Sequence, residues 1–172
     1  MFNMKLIRGK VYLLGDDINT DDLVPSHVLT LGDINEMVKH VLEYRDPNFL
    51  KEVKKGMIIV AGDNFGTGSS REEAVNVLKV IGISAIIARS FARIYFRNLI
   101  NNGIPAIITT WHEEQIEKND ILEISLNEGV IYNETRNISL NFPKIPPFLM
   151  NILNEGGIIN LVKKQLRKTK NL

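Results

Sequence analysis

The stretch Asp63-Asn64-Phe65-Gly66-Thr67-Gly68-Ser69-Ser70-Arg71-Glu72 brings two glycines, two serines and an arginine into ten residues. The apolar run 57–62 leads into it, and helical spacing of apolar residues over 71–81 leads out, so it reads as strand, glycine turn, helix. N–H groups at a helix start lack partners and carry partial positive charge. Arginine adds a fork-shaped donor suited to a carboxylate or phosphate. The chemistry on offer is the binding of a small anion beside a hydroxyl. The same residues also make an ordinary tight turn, with Ser69 or Ser70 capping the helix and Glu72 or Glu73 closing a capping box. The stretch by itself leaves both readings open.

Better-known glycine loops do not fit. A phosphate loop needs a lysine and a hydroxyl residue after its last glycine, but Gly68 is followed by Ser69, Ser70 and Arg71. A dinucleotide fingerprint needs a third glycine where Arg71 stands. A Gly-x-Ser-x-Gly elbow is absent. The acid-rich segment 16–22 fails the EF-hand pattern, because its sixth and twelfth places hold Asp21 and His27 instead of glycine and glutamate. It reads as a loop whose side chains bond nearby backbone, or as the source of an acid that orients a catalytic group. His27, His40 and His112 show no ligand spacing, so no metal-ligating residue is assigned. His40 and His112 read as ordinary surface or packed histidines, whereas His27 lies in a loop that can face the site. The row Arg89, Arg93, Arg97 is accounted for by salt bridging and exposure.

The elements that must position these residues follow from periodicity and punctuation. A strand or hairpin arm is predicted over 5–14, and a helix capped by Asp33 over 33–44. The segment 23–32 is a loop broken by Pro25. Strand 57–62, helix 71–81 and strand 84–88 form a βαβ unit, which places a ligand at the carboxyl ends of its strands. A helix over 91–101, capped by Ser90, and a strand over 104–109 continue it. Short segments at 120–126, 130–133 and 137–142 read as an antiparallel cap, turned at Asn127-Glu128-Gly129. Pro147 suits a helix start, Gly156-Gly157 is a break, and 158–167 is a last helix ending in a solvated basic run. The fold class is α/β, a βαβ core with a small antiparallel β cap.

The chain's 172 residues suit one domain with a sizeable core. A net charge of +1 gives no pull toward nucleic acid or a membrane surface. No run is apolar for long enough to span a membrane, and residues 1–10 do not read as a signal peptide. A cytoplasmic location is the expectation. The absence of cysteine removes disulfides, thiolate metal sites and cysteine nucleophiles.

Four groups of residues together carry a resemblance: Asn64 to Glu72, the run Ala88-Arg89-Ser90-Phe91-Ala92-Arg93-Ile94-Tyr95-Phe96-Arg97-Asn98, Asn19-Thr20-Asp21, and Glu155-Gly156-Gly157. Over nearly its whole length the chain resembles the small subunits of the aconitase-type hydro-lyases, most closely those of isopropylmalate isomerase and homoaconitase. The resemblance implies a single swivelling β/β/α domain spanning residues 1–172. It implies a separate large subunit holding a [4Fe–4S] cluster on three cysteines, whose iron acts as Lewis acid on the departing hydroxyl. A chain without cysteine agrees with that division. By the same resemblance Ser69 matches the base that removes and returns a proton next to a carboxylate, and Arg71 the substrate-carboxylate ligand. Ser70 matches a neighbouring donor and Asp21 an acid near the site. A serine is a poor base unless its alkoxide is stabilised. Helix N–H groups and Arg71 are the expected source of that stabilisation.

Two departures bear on substrate. Thr67 stands where many such subunits carry cysteine. The loop Ser26-His27-Val28-Leu29-Thr30-Leu31 lacks the arginine with which aconitase and homoaconitase relatives hold a further carboxylate, and a buried carboxylate without a partner is costly. Val28, Leu29 and Leu31 instead offer apolar surface to a branched alkyl group, and His27 is the loop's one possible cation. The leading expectation is dehydration and rehydration that interconverts 2- and 3-isopropylmalate in leucine biosynthesis. Homoaconitase or a broad-specificity citraconate isomerase is the alternative, because apolar pockets discriminate by only about 1–3 kcal/mol per methylene. A non-catalytic anion-binding module is the alternative of another class. Partners are then a large subunit and a small dicarboxylate, with no nucleic acid or membrane. An isolated small subunit is expected to be able to self-associate through the surface meant for its partner.

Overall fold

The computed structural model describes residues 6–170. Strands β1 (Ile7–Leu13), β2 (Ile58–Ala61), β3 (Ala85–Ala88) and β4 (Ala106–Ile108) pair in parallel in the order β4-β3-β2-β1. Every residue of β2 and β3 is buried. This is why both read as unbroken apolar runs: a parallel strand is covered on both faces. Strands β5 (Ile121–Ser125), β6 (Val130–Asn133) and β7 (Ile138–Asn141) are antiparallel. They form the predicted antiparallel cap, which is continuous with the parallel strands. β5 pairs with β1, Ile7 opposite Ile124, and extends one sheet to seven strands. β1 is the joint, giving Lys10 and the residues before it to β5, and Val11 onward to β2. The predicted start of β1 at Lys5 lies outside the described residues.

Helix α4 (Glu73–Ile81) joins β2 to β3, and α5 (Arg93–Asn101) joins β3 to β4, as the βαβ reading requires. α4 buries Ala74, Val75, Val77 and Leu78, and Gly82 ends it in the left-handed conformation. Between β1 and β2 lie α1 (Thr20–Leu23), a 3-10 helix (Ser26–Leu31), α2 (Ile34–Val38) and α3 (Phe49–Glu52). α2 packs against α4. The segment 23–32, read as a loop, is therefore largely helical. The helix predicted to Tyr44 stops at Val38. Asp33 does cap it, accepting from the Asn35 N–H. Leu42 then takes a positive φ of 58° and gives its N–H to the Asp22 carbonyl. Its side chain still reaches the core that the periodicity assigned it.

Helix α6 (Pro147–Asn154) begins on Pro147 and packs against α5, and α7 (Ile158–Lys170) follows the glycine pair. That corner lies backbone against backbone on the end of α5. A Cβ on Gly157 would sit 2.7 Å from the Asn101 carbonyl oxygen, and one on Gly103 would sit 2.5 Å from the Gly156 carbonyl carbon. The basic run is exposed, as predicted, and the helix that carries it extends to Lys170.

Candidate active site

Because β1, β2 and β3 run parallel, the segments following them meet at one edge of the sheet. The segment after β1 pairs with the glycine loop after β2: Thr20 N–H donates to Thr67 O at 2.8 Å, and Gly66 N–H to Ile18 O at 2.6 Å. The segment after β3 pairs with the loop from the other side, through Phe65 N–H to Ser90 O and Ala92 N–H to Phe65 O. Gly66 and Gly68 have φ of 82° and 108°. A Cβ on Gly66 would lie 2.2 Å from the Tyr95 ring. The turn thus needs glycine there both for its backbone angle and for the aromatic side chain packed against it.

Ser69 and Ser70 are exposed at the end of this turn. Neither caps α4, whose first turn starts at Glu73 with Glu72 in the cap position and no side-chain cap bond. The predicted capping box does not form, because the glycine turn carries the chain along the α1 segment before the helix begins. Ser90 likewise does not cap α5. Ala92 holds that place, and the Ser90 hydroxyl accepts the Asn64 N–H at 2.8 Å.

The side chain that pairs with Ser69 is Thr20. The Thr20 hydroxyl oxygen accepts the Ser69 N–H at 3.0 Å and lies 3.4 Å from Ser69 Oγ. One of its two acceptor sites is thus engaged, and across the 3.4 Å contact either hydroxyl can donate to the other. Thr20 is almost wholly buried. The expectation that Arg71 stabilises Ser69 is not met, since Arg71 turns to the α1 side. Its Nη1 donates to Asp21 Oδ1 at 2.5 Å and to Val24 O at 3.1 Å, and its Nη2 to Ser26 Oγ at 3.2 Å. Ser26 Oγ in turn donates to Asp21 Oδ1 at 2.9 Å. The Ser26 hydroxyl and the Arg71 guanidinium hold the Asp21 carboxyl below its ordinary pKa. Asp21 is mostly exposed while Arg71 is mostly covered.

The structure therefore brings Asp21, Ser26, Ser69, Ser70 and Arg71 to one edge. The rest of the Ser26–Leu31 helix divides. Val28 is buried in the core and offers nothing to a ligand, contrary to the sequence reading, whereas Leu31 is half exposed. Leu29 packs partly against the core. His27 is exposed, and its Nε2 lies 3.2 Å from Glu43 Oε1.

A recess of about 210 Å³ opens beside Ser69 and Ser70, lined also by Gly68, Arg93, Tyr95 and Asn98. Arg93 is exposed at the first turn of α5. It is a cation at the site that sequence reasoning set aside as one of a solvated row. A larger recess of about 680 Å³ lies between α5 and α6, with Phe96, Ile100, Phe148 and Ile152 in its walls. It is mostly apolar, and among the described residues its charged side chains are Arg93 and Arg97. Among the described residues its lining offers no carboxylate or hydroxyl, whereas that of the smaller recess includes Ser69 and Ser70.

The acids preceding α1 are structural. Asp16 Oδ1 accepts from the Asp63 N–H and from Arg89 Nη2, both at 2.8 Å. Arg89 lies over the Trp111 ring at 5.1 Å. The Asp63 N–H and then Arg89 hold the Asp16 carboxyl below its ordinary pKa. Asn19 and Asp22 form a reciprocal capping box on α1.

The Aconitase C-terminal domain family matches residues 29–110. The chain is 48% identical over 160 residues to 3-isopropylmalate dehydratase small subunit 1 of Thermotoga maritima, covering 92% of this chain and 96% of that protein. It is 42% identical over 160 residues to the protein of the same name from Methanopyrus kandleri, covering 93% of this chain and 94% of that one. Among solved structures, 3-isopropylmalate dehydratase of Methanocaldococcus jannaschii superposes with a TM-score of 0.88 at 40% identity, covering 97% of this chain and 99% of that one.

Proposed function

The chain belongs to the family of 3-isopropylmalate dehydratase small subunits, aconitase-type hydro-lyases, and from that membership we propose that it acts as one swivelling domain whose Ser69 transfers the proton. It is the small subunit of the isomerase of leucine biosynthesis. The observation that carries the assignment of Ser69 is its pairing with Thr20 at the mouth of a recess on the carboxyl edge of the parallel strands. As the base loses its proton, negative charge develops on Ser69 Oγ. A buried hydroxyl already held in place can donate to that charge without reorganising. Arg71 and Arg93 supply the cations for a dicarboxylate. Arg71 is oriented by Asp21 and Ser26, and a substrate carboxylate competes with Asp21 for its fork.

An iron–sulfur cluster is held by cysteine thiolates, and this chain has none. Its residues do not fit that group, which we place on the large subunit. Binding the carboxylates and moving the proton are the steps left to this chain. Isopropylmalate is the favoured substrate. The Ser26–Leu31 helix has no arginine, its one histidine is turned to Glu43, and half-exposed Leu31 is apolar. Among the described residues no helix is long and apolar enough to cross a membrane.

The test is anaerobic reconstitution with candidate large subunits, assayed on isopropylmalate, homoaconitate and citraconate. Turnover of isopropylmalate is expected only with a partner present. Activity of this chain alone, or none with any partner, would overturn the proposal. Ser69→Ala is expected to lower kcat by about 100-fold or more while leaving the melting temperature unchanged. Full turnover in that variant would remove Ser69 as the base.

A further inference from the structure

His27 opens the Ser26–Leu31 helix, while His40 and Glu43 lie in the turns after α2. Folding brings one ligand atom of each within 4.8 Å of the others. His27 Nε2 is 3.2 Å from Glu43 Oε1, and His40 Nδ1 is 2.6 Å from Glu43 Oε2. The two imidazoles meet edge to face with centroids 5.5 Å apart. Hydrogen bonding accounts for only part of this cluster. His40 satisfies Oε2, but Glu43 Oε1 is buried and has no hydrogen bond among the described residues, its nearest partner being His27 Nε2 at 3.2 Å. A buried carboxylate oxygen without a donor is a costly arrangement, and a cation relieves it.

We propose that His27, His40 and Glu43 form a binding site for a divalent transition-metal ion of the zinc type, which fixes the start of the Ser26–Leu31 helix. Two imidazole nitrogens and one carboxylate oxygen make up a known three-ligand zinc set, with a fourth position left to water. Bonds of about 2.0–2.2 Å at tetrahedral angles place ligand atoms about 3.3 Å apart. The His27 Nε2–Glu43 Oε1 separation of 3.2 Å is close to that value, and His40 Nδ1, which lies 2.6 Å from the other carboxylate oxygen, reorients toward the ion to complete the set. The side chain of His27 is half exposed, so an ion can enter from solvent and keep its water. Imidazole favours zinc, nickel or copper over magnesium or calcium, which take oxygen ligands. Ser26, next to His27, bonds Asp21 and Arg71. The ion therefore ties the same end of the helix to the segment after α2 as well. The site rests on these distances and not on the reaction, so the two proposals fail separately.

Calorimetric titration of the full-length, tag-free chain with zinc chloride is expected to show one bound equivalent, and magnesium chloride no saturable heat. His27→Gln, an exposed position that leaves the core intact, is expected to weaken zinc binding by about tenfold or more, and His40→Gln likewise. His112→Gln, outside the cluster, is expected to bind as the unaltered chain does. Cobalt in place of zinc is expected to give the visible absorption of a tetrahedral ion, lost in His27→Gln. No saturable binding, or equal binding by His27→Gln and the unaltered chain, would overturn the site. Zinc is further expected to slow amide exchange across residues 26–31 in the unaltered chain only. Binding without that slowing would overturn the fixing of the helix.

Discussion

At the scale of single residues, the site is a set of hydroxyls and charges whose partners come from distant parts of the chain. Ser69 and Arg71 were legible because the glycine turn, the serines and the arginine are contiguous. Thr20 was not singled out, since its contact with Ser69 spans 49 residues and nothing in its own neighbourhood requires it. Its only sequence signal was its place inside Asn19-Thr20-Asp21. If Thr20 positions Ser69 and donates to its developing charge, Thr20→Val lowers kcat by about tenfold or more with KM little changed. Thr20→Ser restores most of the rate. Steady-state kinetics of the reconstituted enzyme separates this from a packing role, which would lower the stability of both variants and leave kcat of the folded fraction intact. The His27–His40–Glu43 cluster was illegible for a similar reason. The spacings of 13 and 3 residues do not lie on one regular element, and a non-helical turn closes them.

At the scale of elements, local pattern served where local forces decide. β2 and β3 are buried on both faces, so a short apolar run located each to within a residue. α4 and α5 carry one apolar face and fell where the spacing put them. The ends were less legible. Ser69, Ser70 and Ser90 are good capping residues by type, but Ser69 and Ser90 are held by contacts from other segments, Ser70 is exposed, and none of the three caps a helix. The helix after Asp33 ended early because a backbone contact between Leu42 and Asp22 redirects the chain. The glycine turn itself has a measurable requirement. Gly66→Ala meets both a positive φ and the Tyr95 ring, and is expected to cost about 1–3 kcal/mol in urea unfolding. Gly15→Ala is the control. A Cβ there meets nothing within 4 Å, and the change is expected to stay within about 0.5 kcal/mol.

At the scale of the whole molecule, the antiparallel strands were predicted individually, but their continuity with the parallel sheet was not. The pairing of β1 with β5 spans more than a hundred residues. The antiparallel half is tied down by one buried acid. Asp120 accepts from the Glu117 N–H at 2.8 Å, Asn133 Nδ2 at 2.8 Å and Arg136 Nε at 2.7 Å. Burial alone would raise its pKa, but these three donors outweigh it and hold the carboxyl below the reference 3.8. A folded-state pKa below the unfolded one contributes stability that is complete above 3.8 and is lost as pH falls through the lower folded value. Asp120→Asn is therefore expected to melt below the unaltered chain at pH 6, the gap narrowing as pH falls past about 4. Melting curves from pH 2 to 6 test this, and a gap independent of pH would rule the linkage out.

The position of β1 also governs how the chain can be made. Its first turn of synthesis emerges before anything it pairs with, yet it ends as the joint of the sheet. Its parallel neighbour, β2, follows some fifty residues later, and β5 only once Ser125 has left the ribosome. Until then one edge of β1 offers unpaired N–H and C=O groups to any other extended chain. Its exposed stretch reads Ile7-Arg8-Gly9-Lys10, with two cations spaced along it. Like charges resist stacking of two such edges, so this strand carries its own protection through the interval in which the nascent sheet is open.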